Sequence, residues 1–197
     1  MIDKTVNELG GLNFIYSQAG YSVGILSEEH KLENVDFDSK IFSAYFNVNY
    51  YAHVALTKYA MPHLEKTKGS IIYTVAPLCK KATSGSSIYS STQGALVQFA
   101  RCIALEAAKK GVRINMMIPG LTQSESYDEI IKQGMTPEQE RAYINTMNPI
   151  NRVAQPEEMA KLIAFLASDD NLYMTGVQII NDGGQYLTNS FQAVQQT

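Results

Sequence analysis

The sequence predicts an α/β fold in which a parallel sheet carries helices on its flanks, and three observations predict it. Short apolar runs stand at four separated places, each is closed by Gly or Pro, and segments of helical periodicity lie between successive runs. That alternation is the signature of parallel strands buried on both faces. A chain of 197 residues, 45% of them apolar, is long enough for a substantial core. No repeat, low-complexity tract or linker divides it, so residues 1–197 are read as a single domain.

The first strand is expected near 12–19, where Leu12 to Tyr16 is apolar, Gly10 and Gly11 precede it and Ala19-Gly20 closes it. A long helix follows over 36–66, marked by Phe42, Tyr45, Phe46, Val54 and Leu56, with Asp36 or Asp38 as N-cap and Pro62 near its end. The second strand is expected over 69–76 and is stopped by Pro77. A helix over 87–110 repeats Ala95, Phe99, Ile103 and Ala107 at every fourth position, then reaches Lys109, Lys110 and a glycine stop at Gly111. The third strand, 112–118, ends at Pro119-Gly120. Pro156, Glu157 and Glu158 open a helix through Ala167, with proline in its first turn and acids at the positive end of its dipole. The fourth strand, near 176–181, is closed by Asp182, Gly183 and Gly184. Ligands in such sheets bind beyond the carboxyl ends of the strands.

Composition excludes several partners. With 16 Lys+Arg against 19 Asp+Glu the net charge is −3, which gives no electrostatic footprint for nucleic acid. No apolar run approaches the ~18–20 residues of a membrane span, and no signal pattern is visible, so the expectation is an intracellular protein of the cytoplasm or mitochondrion without membrane insertion. Cys79 and Cys102 lack metal-ligand spacing and read as reduced thiols. His30, His53 and His63 share no metal spacing either and read as surface or interface residues.

Six segments in order carry a resemblance: Ser17-Gln18-Ala19-Gly20, Asn47-Val48-Asn49, Gly69 to Ala76, Tyr89 to Gln93, Gly111 to Gly120, and Thr175 to Gly184. From about Leu12 to Leu187 the chain resembles the short-chain dehydrogenase/reductase family. The resemblance implies a Rossmann-like parallel sheet with flanking helices. It also implies a partial doubly wound fold, because Gly20 then ends the family's fourth strand and the first three strands are lacking. The lookalike phosphate turn Gly20, Gly24, Leu26 is a decoy on this reading, since only one long helix separates it from the strand ending at Ala76. Residues 121–152 correspond to the family's substrate lid, and 185–197 form a C-terminal tail.

In that family a hydride passes between a nicotinamide cofactor and a carbonyl or alcohol. A Tyr serves as general acid and base, a Lys one helical turn later favours its phenolate, a Ser polarises the substrate oxygen, and an Asn holds the proton relay. Tyr89 and Asn49 match the family positions. Gln93 stands where the lysine belongs and Ala76 where the serine belongs, and none of the 12 tyrosines has Lys four residues later. A phenol of pKa about 10 is only ~0.1% ionised at pH 7, and a neutral Gln cannot change that by charge. Loss of the polarising hydroxyl costs on the order of 10²–10³ in rate. Tyr89 and Asn49 also have packing roles open to them, at a helix start and in a buried helix. Gly20, Pro119 and Gly120 keep the family's cofactor-side positions without its phosphate loop.

The sequence therefore leads to an expectation of a catalytically inactive family member with no cofactor, serving as a structural or regulatory subunit. Two alternatives stand beside it. One is an NAD- or NADP-dependent oxidoreductase whose nucleotide-binding half is supplied by another chain. The other is a small-molecule sensor using the residual crevice. The apolar edge strand 12–19 lacks Lys or Pro to blunt it, and helices 36–66 and 87–110 keep Tyr50, Tyr51, Phe99 and Cys102 outward. A protein partner or a second copy of the chain is expected to cover these surfaces.

Overall fold

The computed structural model describes residues 1–22, 31–132 and 134–188. Its four strands are β1 (Phe14–Ser17), β2 (Ser70–Thr74), β3 (Arg113–Pro119) and β4 (Gln178–Asn181), all parallel and in the spatial order β1-β2-β3-β4. Ile15 pairs with Ile71, Ile71 with Ile114, and Met117 with Ile179. Each strand lies inside or within a residue of its expected span, and the α/β fold with a parallel sheet stands as read.

Alternation places Ile71, Tyr73 and Val75 on one face of β2, against Leu64 and Ala60 of the preceding helix and Leu96, Ala100 and Ala104 of the following one. The opposite face carries Ile72 and Met117 against Met159 and Leu166. Ile71, Ile72, Tyr73 and Leu96 are wholly inaccessible. At about 1.5–3 kcal/mol for each fully buried large apolar side chain, this central pair of strands anchors the fold.

The helices depart from the sequence reading in three places. An unanticipated α1 (Ile2–Leu9) packs Ile2 and Val6 on the larger core and ends at Gly10, whose φ of 77° suits only glycine well. The long helix is three pieces: α2 (Lys40–Phe46), a π-helical turn (Asn47–Tyr51) and α3 (Ala52–Thr67), with Pro62 inside α3. Its N-cap is Ser39, whose Oγ accepts from Phe42 N at 3.1 Å, while Asp36 accepts from Asp38 N instead. The other helices are α4 (Ser87–Ala108), α5 (Pro137–Met147) and α6 (Pro156–Ala167). Buried Arg113 of β3 donates to Leu166 O (2.9 Å) and Ser168 O (3.3 Å), closing carbonyls that the end of α6 leaves unpaired. Among the described residues no helix is long and apolar enough to cross a membrane.

Two glycines give opposite expectations. A Cβ on Gly69 would stand 2.2 Å from Asn13 O, at the point where Ser70 N takes that same carbonyl. Gly94 lies within α4 with nothing inside 4 Å of its Cβ position. In urea unfolding, Gly69→Ala is expected to lose about 1–3 kcal/mol. Gly94→Ala is expected to gain about 0.5–1 kcal/mol from helix propensity.

Candidate active site

The carboxyl ends of β1, β2 and β3 open on one side of the sheet, and the candidate residues gather there. After β1 the chain runs through Gln18, Ala19 and Gly20, all exposed. The next peptide is held from both sides by one side chain: Asn49 Oδ1 accepts from Tyr21 N at 2.7 Å, and Asn49 Nδ2 donates to Tyr21 O at 2.9 Å. Asn49 is wholly buried and lies in the π-helical turn. Widening the helix by one residue over Asn47–Tyr51 changes the side-chain phase, as π-turns at functional sites commonly do.

From Tyr21 an aromatic ladder runs to α4. The Tyr21 and Tyr45 rings meet edge to face at 5.3 Å, and Tyr45 meets Tyr89 in the same way at 6.0 Å. Tyr89 stands in the first turn of α4. Burial pushes its phenol up to about 12, with the neighbouring Tyr45 and Cys79 adding to the rise. At pH 7 only on the order of one phenol in 10⁵ is then ionised. Tyr45, buried beside it, is likewise pushed up to about 12.

Gln93 follows Tyr89 by one helical turn and is buried. Its Oε1 accepts the backbone N–H of Ala76 at 2.8 Å, which ties the end of β2 to α4. The side chain that the resemblance sets at the lysine position thus bonds the backbone of the residue it sets at the serine position. Thr74, the one nearby hydroxyl that shares a strand face with Ala76, donates to Tyr16 at 2.8 Å and is not offered to the crevice.

The far wall is made by Pro119 and Gly120. A Cβ on Gly120 would fall 2.6 Å from Asp182 Cα, so glycine is required for the ends of β3 and β4 to meet. Asp182 accepts from Gly184 N (2.9 Å) and Tyr186 N (2.6 Å), and Gln185 Oε1 accepts from Leu121 N (3.2 Å). Lys81 reaches across from the segment after β2 to donate to Gln185 O at 2.9 Å and to Thr188 O. In the 121–152 region Tyr127 donates to Glu140 at 3.0 Å, which joins a π-helical segment (Tyr127–Lys132) to α5. Gln185–Leu187 form a short 3-10 turn, and residues 189–197 of the tail lie outside the described residues.

His53 is not the expected surface or interface residue, whereas His63 is part-exposed. His53 is buried at 3% exposure, bonded to Ser17 at 2.6 Å and to Ala19 O at 3.0 Å. The sequence hides this because Ser17 and His53 lie 36 residues apart. Their only local signal is a serine at a strand end that the family resemblance would fill with Asn. His30, Gly24 and Leu26 lie outside the described residues. Tyr51 and Cys102 are outward as expected, whereas Tyr50 and Phe99 pack edge to face at 6.1 Å.

Comparison with known proteins bears on function. The family model described as Enoyl-(Acyl carrier protein) reductase matches residues 1–186. The chain is 31% identical over 193 residues to a meso-2,3-butanediol dehydrogenase of Serratia marcescens, covering 93% of this chain and 68% of that one. It is similar to a solved short-chain dehydrogenase/reductase of Caenorhabditis elegans with cofactor, at TM-score 0.79 and 26% identity, over 98% of this chain and 72% of that one. It is also similar to the solved structure of ElxO with NADP bound, at TM-score 0.81 and 28% identity, over 94% and 71% of the two chains. The chain spans between 61% and 70% of the length of the curated relatives it matches. These findings overturn the expectation of a cofactor-free, inactive structural subunit. The relatives are named dehydrogenases and reductases, and the solved ones carry cofactor.

The Tyr89 titration tests the local electrostatics. In the wild-type chain, tyrosine-selective carbon NMR should place its ionisation near 12. In Gln93→Lys an ammonium one turn away is expected to bring it down toward the ordinary phenol value. The same substitution should cost about 1 kcal/mol in unfolding, because Lys cannot accept the Ala76 N–H.

Proposed function

The chain belongs to the short-chain dehydrogenase/reductase family, and on that premise we propose that it forms the substrate-side wall of an NAD- or NADP-dependent oxidoreductase. The dinucleotide-binding strands come from polypeptide outside these 197 residues, on the same product or on a partner chain. The observation that carries the reading is the Tyr21–Tyr45–Tyr89 ladder with its Asn49 clamp, set at the carboxyl ends of β1 and β2 where open α/β sheets take ligands.

The residues present suit the nicotinamide end of such a cofactor and not its phosphate end. The exposed Gln18–Gly20 turn and the Pro119–Gly120 corner flank the crevice. Among the described residues no glycine-rich turn leads from a strand directly into an α-helix N-terminus, which is what a pyrophosphate requires. The missing wall is best supplied along β1, an edge strand whose Phe14 and Tyr16 pack on the α6 side of the sheet and remain partly exposed.

When bound, the cofactor supplies the hydride chemistry, and this chain supplies the proton. A phenol held near 12 stays protonated at neutral pH, so Tyr89 is suited to donating to a carbonyl oxygen and unsuited to taking a proton from an alcohol. Gln93, spent on Ala76 through its oxygen, keeps a neutral amide donor one turn away. Tyr89 is therefore the proton donor when the substrate is a carbonyl.

Protein isolated from its source with any associated polypeptide retained should quench or enhance nicotinamide fluorescence at micromolar NADH or NADPH. Tyr89→Phe in that form should lower kcat by about 10²–10⁴ while leaving nucleotide affinity unchanged. Failure of the intact material to bind either nucleotide would overturn the reading.

A further inference from the structure

A buried polar cluster at the end of β1 takes no part in the proposed chemistry. His53 of α3 stands between Ser17, the last residue of β1, and Ala19 in the turn that follows. A carbonyl oxygen can only accept, so Nε2 carries a proton and donates to Ala19 O. Nδ1 is then left to accept from Ser17 Oγ, which fixes one neutral tautomer. The imidazole meets the Tyr73 ring of β2 edge to face at 5.9 Å. One turn on, Thr57 donates to His53 O at 2.7 Å, so its hydroxyl oxygen receives the proton of Tyr73. The ring thus bridges both ends of a two-residue step out of the strand, with α3 and β2 holding it from behind.

We propose that His53 is a positioning residue: bonded to Ser17 and Ala19 in its neutral form, it holds the Ala19–Gly20–Tyr21 turn against the crevice, and its protonation releases that turn. The proposal rests on the reading of the crevice as the cofactor-facing end of an oxidoreductase. An imidazolium offers two donors, so Ser17 Oγ would have to turn and accept, leaving its own proton without a partner in a site that water does not reach. The side chains that meet the ring are Ser17 from β1 and Tyr73 from β2, and Thr57 of α3 bonds the His53 carbonyl. None is charged near neutrality, since burial pushes Tyr73 up to about 12. Burial likewise lowers the His53 pKa from 6.5, against an opposing contribution from the Ala19 carbonyl. The bridge is therefore intact above pH 6.5, and it is lost as the pH falls from there through the lowered folded-state value.

The readout is amide exchange in the 197-residue chain, expressed as protection relative to the unstructured peptide at the same pH. Tyr21 N–H, which Asn49 accepts, reports whether the turn is in place. In the wild type its protection should fall at least tenfold as the imidazole nitrogens, followed by nitrogen NMR, pass from the Nε2–H tautomer to the imidazolium. Ser17→Ala should lower Tyr21 protection at neutral pH by several-fold and leave the core amides of β2 unchanged. His53→Gln, whose amide can still donate to Ala19 O, should keep most of the protection and lose its pH dependence. Wild-type protection that stays constant through the His53 titration, or a Ser17→Ala chain as protected as wild type, would refute the proposal. Because exchange is read without nucleotide, these failures are distinct from failure of cofactor binding. If exchange behaves as stated and the intact protein binds no nucleotide, the positioning role stands and the oxidoreductase reading falls.

Discussion

A backbone that stops pairing with its neighbours must find other partners, and that requirement governs the carboxyl end of this sheet. Strands of four to seven residues end abruptly, and the peptides beyond them are taken up by neutral or anionic side chains. Asn49 takes both polar groups of Tyr21, Gln93 takes Ala76 N–H, Gln185 takes Leu121 N–H, and Asp182 takes two amides of the next turn. Asn49, Gln93 and Gln185 reach these peptides from elements 17 to 64 residues away, and Asp182 closes its own turn locally. The corner of the molecule where ligands are expected is thus assembled by side-chain-to-backbone bonds.

This constraint gives Gln93 a physical reason. At that position a lysine offers donors only, and the Ala76 N–H would need another acceptor. Gln supplies the acceptor and fixes β2 to α4 at 2.8 Å, but supplies no charge. The stabilisation of the strand end and the activation of a tyrosine therefore make opposite demands on one side chain. In this chain the backbone demand is met, and Tyr89 rises with burial because nothing cationic opposes the rise.

The parts of this architecture that were legible in the sequence are those encoded locally. Four apolar runs with Gly or Pro stops became four parallel strands, and Pro156 with its two acids opened α6. The residues that failed to read were those whose role depends on long separations. His53 looked like a surface residue because Ser17 is 36 positions away, and its α3 neighbours Val54 and Leu56 do not report the turn it supports. The π-helical turn was invisible for a different reason: one extra residue in a helical repeat barely alters an apolar pattern, though it leaves Asn49 wholly buried beneath Tyr21. Composition misled at the level of function. Gln93 and Ala76, which the resemblance sets against the family's lysine and serine, lead to an expectation of inactivity, whereas the relatives are named dehydrogenases and reductases.

The location of positive charge sets the remaining chemistry. The lysines nearest in sequence to Tyr89 are Lys80 and Lys81, and both have partners on the segment after β4. Lys80 lies over the Tyr186 ring at 6.0 Å, and Lys81 is engaged by the carbonyls of Gln185 and Thr188. Their charge braces the segment after β4. A phenol without a cationic neighbour is a proton donor at neutral pH, and its conjugate phenolate is a strong base that recaptures a proton at once. Tyr89 is accordingly held in its protonated form at neutral pH chiefly by burial. The one position a helical turn from Tyr89 that could have carried a positive charge holds Gln93, and its oxygen is committed to the backbone.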